Sequence, residues 1–153
     1  MSASAHTSKQ FFTVQEANQR LPLVSVIVDD IVRLFRDVHE RRERLVRIRK
    51  LHGSGKRGEG DLYSEEVDQM EREIDRDIEK LDSFVVELRQ LGVELKDPVA
   101  GLIDFPTKVD GHEAYLCWRL GELEVMFWHD LDSGFKGRQP LLEASVSLNE
   151  AER

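Results

Sequence analysis

Cysteine is almost absent from this chain: Cys117 is the single one among 153 residues. A lone thiol cannot close an internal disulfide, so burial and hydrogen bonding must hold the fold, which suits a reducing compartment. No apolar run approaches the length of a membrane span. The opening Met-Ser-Ala-Ser-Ala-His-Thr-Ser-Lys-Gln lacks the apolar core of a signal peptide and reads as a short disordered tail, with the cytoplasm as default location. Positive charge is also short, with 22 Lys and Arg against 30 Asp and Glu and a net charge of −8. Nucleic acids and anionic membranes both need an attracting positive field, so neither is an expected partner. At 40% hydrophobic and 34% charged residues, the chain can build one narrow core.

What is scarce overall gathers in one place. Both tryptophans, the cysteine and three of the four prolines lie beyond residue 97, whereas most of the rest carries helical periodicity. Thr13 and Glu16 have capping-box spacing and should open the first helix. Pro22 interrupts that pattern, which predicts a short helix to about Arg20, then a break and a second start with Pro22 in its first turn. Val24, Ile27, Ile31, Leu34, Val38, Leu45 and Ile48 then recur at helical steps. A second seam runs through Val67, Met70, Ile74, Leu81, Phe84, Leu88 and Leu91 and ends at Gly92. Two such helices joined by the glycine-rich stretch from His52 to Asp61 predict an antiparallel hairpin. Arg41 and Asp77 each interrupt a seam at similar height; they meet as a register-fixing ion pair or turn outward to solvent.

The basic run from Arg41 to Lys50 lies at a helix C-terminus, where cations suit the helix dipole. The facing start of the next helix is acidic, with Glu65, Glu66, Asp68, Glu71, Glu73 and Asp75. Internal complementarity therefore accounts for the run without nucleic acid. Gly53-Ser-Gly-Lys-Arg-Gly lacks both the spacing and the preceding strand of a phosphate-binding loop and reads as a linker.

Beyond Gly92 the period changes to two. Val93 to Pro98 reads as a short extended piece closed by a turn. Asp110-Gly111 and Gly121-Glu122 suit two-residue hairpin turns and together predict a three-stranded meander. Its inner face would carry Ile103, Phe105, Leu116, Trp118, Leu120, Leu123, Val125 and Phe127. The outer face would carry Leu102, Asp104, Tyr115, Cys117, Arg119, Glu124, Met126 and Trp128, with Asp104 beside Cys117 and Tyr115 opposite Trp128. Such a face can be solvated, a subunit interface, or a ligand surface with Arg119 as an anion clamp.

His129, Asp130 and Asp132 leave the last strand together. One imidazole with two carboxylates has the composition of a metal site, although no second histidine or cysteine recurs at ligand spacing. Capping carboxylates and a backbone-bonded histidine explain the same residues. Cys117, in mid-strand, reads as a buried structural thiol rather than a nucleophile. The binding candidates at the end of the meander are Arg119, Glu122, His129, Asp130, Asp132 and Arg138, with Trp128 and Tyr115 as an apolar wall. The tighter subset is His129, Asp130, Asp132 and Arg138, because pairing puts Glu122 and Arg119 at the other end of the sheet. The two arginines would hold a small anionic ligand.

Phe12-Thr-Val-Gln-Glu-Ala-Asn18 with Leu21-Pro22, Leu91 to Pro98, Gly101 to Pro106, Tyr115 to Glu122 and Trp128-His-Asp-Leu-Asp-Ser-Gly-Phe135 resemble the bacterial domain-of-unknown-function family numbered 2203. The resemblance runs from Phe12 to Leu141. It implies a small bacterial protein, helical in front and extended behind, and transfers no catalytic residue or cofactor.

The sequence thus predicts an α+β fold: a short N-terminal helix, a long helical hairpin and a small antiparallel three-stranded meander. Residues 1–10 form a tail, 11–142 one domain (11–92 hairpin, 93–142 meander and loop), and 143–153 a flexible tail. Two function classes stay open. The first is a non-enzymatic homodimeric interaction module, because Val26, Val32, Phe35 and Val85 form a stripe too wide for a single partner helix. The alternative is a small-molecule or metal-binding protein, with or without catalysis, using the loop after Trp128.

Overall fold

The computed structural model describes residues 9–52 and 62–141. The connector and both tails read from the sequence therefore fall largely outside the described residues. Two long helices come first, α1 (Val14–His52) and α2 (Leu62–Gln90). A five-stranded antiparallel sheet follows: β1 (Glu94–Asp97), β2 (Leu102–Val109), β3 (His112–Arg119), β4 (Phe127–Asp130) and β5 (Gln139–Pro140), in sequential order. The α+β class is as expected. The meander has five strands rather than three, because the short pieces at 94–97 and 139–140 pair onto its two edges.

Helix α1 opens on the expected capping box. The Glu16 N–H donates to Thr13 Oγ1 and the Thr13 N–H donates to Glu16 Oε1, both at 3.0 Å. The short N-terminal helix is not a separate element: α1 runs unbroken through Pro22. An interior proline costs about 3 kcal/mol through its missing N–H and ring clash. Ala17, Leu21, Val24, Ile27 and Val28 are all buried on either side of it, in one core cluster. At roughly 1.5–3 kcal/mol for each large apolar side chain, that burial outweighs the defect. The end of α2 is a Schellman motif, with Val93 N–H donating to Leu88 O at 3.0 Å and Gly92 N–H to Arg89 O at 2.9 Å. Leu88 and Val93 supply the buried apolar contact of that motif.

The helices are antiparallel. Arg20 of α1 donates to Leu91 O at one end, and His52 stacks on Tyr63 at the other, with ring centroids 3.5 Å apart. Between these ends the two predicted seams interlock, and Val38, Leu45, Val67 and Ile74 make a distal apolar cluster. Arg41 pairs with Asp77 across the hairpin and with Asp37 at 2.9 Å along α1, so the register-fixing pair is formed.

The larger cluster joins the helices to the sheet. Phe12, Ile31, Leu88, Ile103, Phe105 and Leu116 are fully buried in it, and the Phe12 and Phe105 rings meet edge to face at 5.2 Å. Phe12 N–H donates to Pro106 O at 2.7 Å, and Thr107 Oγ1 donates to Phe12 O at 2.6 Å, tying the entry to α1 onto β2. At Gly101 (φ 73°) an added Cβ would sit 2.7 Å from Leu120 Cβ and 3.1 Å from Val32 Cγ2, so the sheet approaches α1 closely. That contact corrects the argument from an uncovered stripe. Val32 is buried, Phe35 and Val85 are half-buried, and of the four only Val26 remains exposed.

The β2–β3 hairpin turns at Asp110-Gly111 with φ of 52° and 81°, the paired positive values of a type I′ turn. This sets Asp104 opposite Cys117, as expected. The β3–β4 connection differs. Instead of a two-residue turn at Gly121-Glu122, residues 120–126 form a loop held down on α1, with Val125 N–H donating to Asn18 Oδ1 at 2.7 Å. Trp118 Nε1–H also donates to Glu122 O at 3.1 Å. The register shifts by one residue: Tyr115 faces His129, Leu116 faces Trp128 and Cys117 faces Phe127. A one-residue slip moves every side chain of a strand to the other face. Phe127 is therefore on the outer face and Trp128 on the core side, the reverse of the expectation, and Leu123 is 93% exposed instead of inward.

Candidate functional site

The slip brings His129 onto the same face as Asp104, Tyr115 and Cys117. One rung of the sheet runs Glu94–Asp104–Cys117–Phe127, and the next runs Pro106–Tyr115–His129. His129 reaches diagonally past β3 to β2, where its Nε2 lies 3.1 Å from both Asp104 Oδ1 and Oδ2. Its Nδ1 lies 2.7 Å from Asp130 O. A carbonyl oxygen can only accept, so Nδ1 carries a hydrogen and Nε2 is the atom turned to the carboxylate. The three polar side chains are almost wholly inaccessible: Cys117 is 0%, Asp104 2% and His129 3% exposed. Among the described residues, Asp104, Cys117 and His129 can each supply one ligand atom to an ion, with those atoms within 4.8 Å of one another.

Arg138 extends the cluster. Its guanidinium lies 3.7 Å from the Phe127 ring centroid and 4.5 Å from that of Phe135, and Nη1 is 3.8 Å from Cys117 Sγ. Its Nη2 pairs with Glu122, whose other oxygen accepts from the Arg119 N–H at 3.0 Å. The fork of an arginine thus spans a carboxylate and a thiol while aromatic faces hold its plane. On the other side of the cluster, the Tyr115 ring stands 5.5 Å from the His129 ring, and Tyr115 Oη donates to Glu94 Oε2 at 3.4 Å. Lys96 pairs with Glu94 at 3.0 Å and lies over the Tyr115 ring.

Burial governs the electrostatics. It pushes the Cys117 thiol up to about 12, helped by the Asp104 carboxylate and opposed by Arg138. The Asp104 carboxyl is likewise raised by burial, against the pull of His129 and Lys96. Burial works against the charge on Lys96, yet hydrogen-bonded Glu94 and nearby Asp104 carry its ammonium above the ordinary lysine value.

Placement of the sequence candidates is mixed. His129, Tyr115, Arg138 and Glu122 share the outer face and its rim, whereas strand pairing read from the sequence puts Glu122 and His129 at opposite ends of the sheet. The side chains of Asp130, at the end of β4, and Asp132, in the turn after it, are exposed and lie outside the buried group; Asp130 contributes its carbonyl instead. Arg119 is exposed and enters only through its backbone N–H. Trp128 packs toward the core. Asp104 and Cys117 face each other as the turn count predicts, and they join His129 although neither is among the binding candidates read from the sequence. The missed signal was Trp128 itself, since a tryptophan turned inward puts both its strand neighbours on the outer face.

No curated protein and no solved structure matches the chain. No helix among the described residues is long and apolar enough to cross a membrane. A family model described as an uncharacterised conserved protein matches residues 10–141, almost the whole described span. The chain belongs to that family, DUF2203.

Proposed function

We propose that this chain is a binding protein whose ligand site is the polar cluster on the outer face of the sheet, with the helical hairpin as its scaffold. One observation carries the reading: an acid, an imidazole and a thiol from three adjacent strands are buried together on the face turned away from the helices. Taking such groups out of water costs several kcal/mol unless each is compensated, and an apolar trio would stabilise the sheet as well or better. Titratable groups kept in that state cluster at functional sites. The test is native mass spectrometry of freshly purified full-length protein beside Asp104→Asn and His129→Gln. A non-covalent adduct present in the wild type and lost in both variants, with unchanged circular dichroism, is the expected outcome. Identical spectra for all three proteins would remove the reading.

Self-association is a second reading. Leu23 and Val26 on α1 are 54% and 59% exposed, and Leu123 lies on the rim of a groove of about 340 Å³ lined also by Leu21, Pro22 and Trp118. Exposed apolar residues beside a groove suit a second copy of the chain. The same native spectra report this directly, as monomer or dimer mass.

A further inference from the structure

We infer that the ligand of this cluster is a divalent transition-metal ion of the zinc type, held by Asp104, Cys117 and His129. The inference rests on the binding-site reading above and names its ligand class. Three observations meet here. First, the tautomer is set from outside: Asp130 O accepts the Nδ1 hydrogen at 2.7 Å, leaving Nε2 between the two carboxylate oxygens at 3.1 Å each. A backbone carbonyl that receives the far ring N–H is the arrangement that orients metal-binding histidines. A lone pair on Nε2 facing a carboxylate is repulsive, so a cation belongs between them. That cation is a second proton or a metal ion.

The second observation is the thiol, a soft donor buried beside the Asp104–His129 pair. Cys117 Sγ completes a three-donor group, its ligand atoms within 4.8 Å of one another. In a tetrahedral site with bonds of roughly 2.0–2.3 Å, donor atoms stand about 3.5 Å apart, so the widest pair must close by about 1 Å. All three donors sit on hydrogen-bonded neighbouring strands, β2, β3 and β4, which limits how far any one can stray.

Charge is the third. A carboxylate and a thiolate together neutralise a divalent ion, so a loaded site would leave no net charge buried. Arg138 near the sulfur does not upset this, because Glu122 already pairs with it. One sulfur, one imidazole nitrogen and one carboxylate oxygen form a borderline donor set, which favours zinc, cobalt or nickel over the all-oxygen preference of magnesium and calcium. Three protein donors leave a fourth position to water or to an added anion.

The test uses full-length protein stripped with a chelator and titrated with Co²⁺, then with Zn²⁺ in competition. The wild type should take up one equivalent, with a thiolate-to-cobalt charge-transfer band that Zn²⁺ erases. Cys117→Ser should abolish that band. His129→Gln and Asp104→Asn should weaken uptake by more than the roughly 10–100-fold that losing an outer contact costs. Cys117→Ser is nearly isosteric and carries the test if either other variant fails to fold. Wild-type protein that keeps its circular dichroism but shows no cobalt band overturns the metal assignment. If native spectra then still show a non-metal adduct lost in Asp104→Asn, the binding-site reading survives alone. If they show none, both fall.

Discussion

Two polar contacts between different elements invite comparison, one in the helical hairpin and one in the sheet. Arg41–Asp77 sits within the distal apolar cluster, flanked by Val38 and Leu45 on one helix and by Ile74 and Ile78 on the other, with side chains 20% and 32% exposed and Asp37 as a second partner. Asp104–His129 has side chains 3% and 4% exposed and a thiol beside it. The first is explained by the fold it serves. It fixes the vertical register of two helices whose leucine-like seams would otherwise tolerate a slip. The second fixes nothing that backbone pairing has not already fixed, since β2, β3 and β4 are registered by their ladders and by the Asp110-Gly111 turn. Arg41–Asp77 is partly wet, whereas Asp104–His129 is dry. On the proposed reading, the difference separates a structural device from a binding site.

The largest effect expected lies at the dry pair. In chelator-treated protein, His129→Leu leaves the Asp104 carboxyl buried without its partner, and breaking one side of such a pair costs about 3–5 kcal/mol. Asp104→Leu with His129→Leu should recover most of this, because two apolar side chains of similar bulk satisfy the face without ionisation. Urea melts of the two single variants and the double variant measure it. A double variant that matches wild type in stability but has lost its ligand would separate folding from function at these residues. Simple additivity of the two losses would show that the residues do not act as a pair.

How far the sequence reached depends on what each part of the chain is held by. The seams of α1 and α2, the Thr13–Glu16 capping box and the Asp110-Gly111 turn follow local rules, and the residues named for each behave accordingly. Pro22 misled, because local propensity ends a helix there while the buried residues on both sides carry it through. The outer face was half legible. Asp104 beside Cys117 follows from counting back from the I′ turn, but His129 depends on how many residues the β3–β4 loop consumes. That number is set by contacts distant in sequence, chiefly Asn18 to Val125. The His-Asp-x-Asp composition instead points to Asp130 and Asp132 beside His129, and both carboxylates are exposed.

A smaller loss is expected at the hairpin. Arg41→Leu removes the partner of a carboxylate that keeps a third of its surface in water, so the cost falls below that of a fully buried pair, at about 2 kcal/mol. Arg41→Leu with Asp77→Leu should again recover much of the loss, and neither change should alter ligand retention at the sheet. Thermal melts combined with native mass spectra test both parts. Loss of the adduct in the Arg41 variant would show that the two regions are coupled.

The smallest effect sets the baseline for both. Arg33 and Asp29 form an i,i+4 pair on α1 at 2.9 Å, with side chains 73% and 41% exposed. The geometry is as good as that of the inner pairs, and the local charges are the same in kind. What differs is water, which screens the attraction and competes for both groups, while ordering two long side chains costs entropy. Pairs of this sort contribute roughly 0.3–0.5 kcal/mol. Arg33→Ala should therefore shift the urea midpoint only marginally, and most of that shift should vanish when salt is raised to about 1 M, where the Debye length falls to about 3 Å. The Arg41 and His129 variants should lose far less of their effect at high salt, since the solvent that carries the screening ions reaches Arg41–Asp77 poorly and Asp104–His129 hardly at all. Equal salt sensitivity in all three would mean that burial does not distinguish them, and the contrast between the hairpin contact and the sheet contact would lose its physical basis.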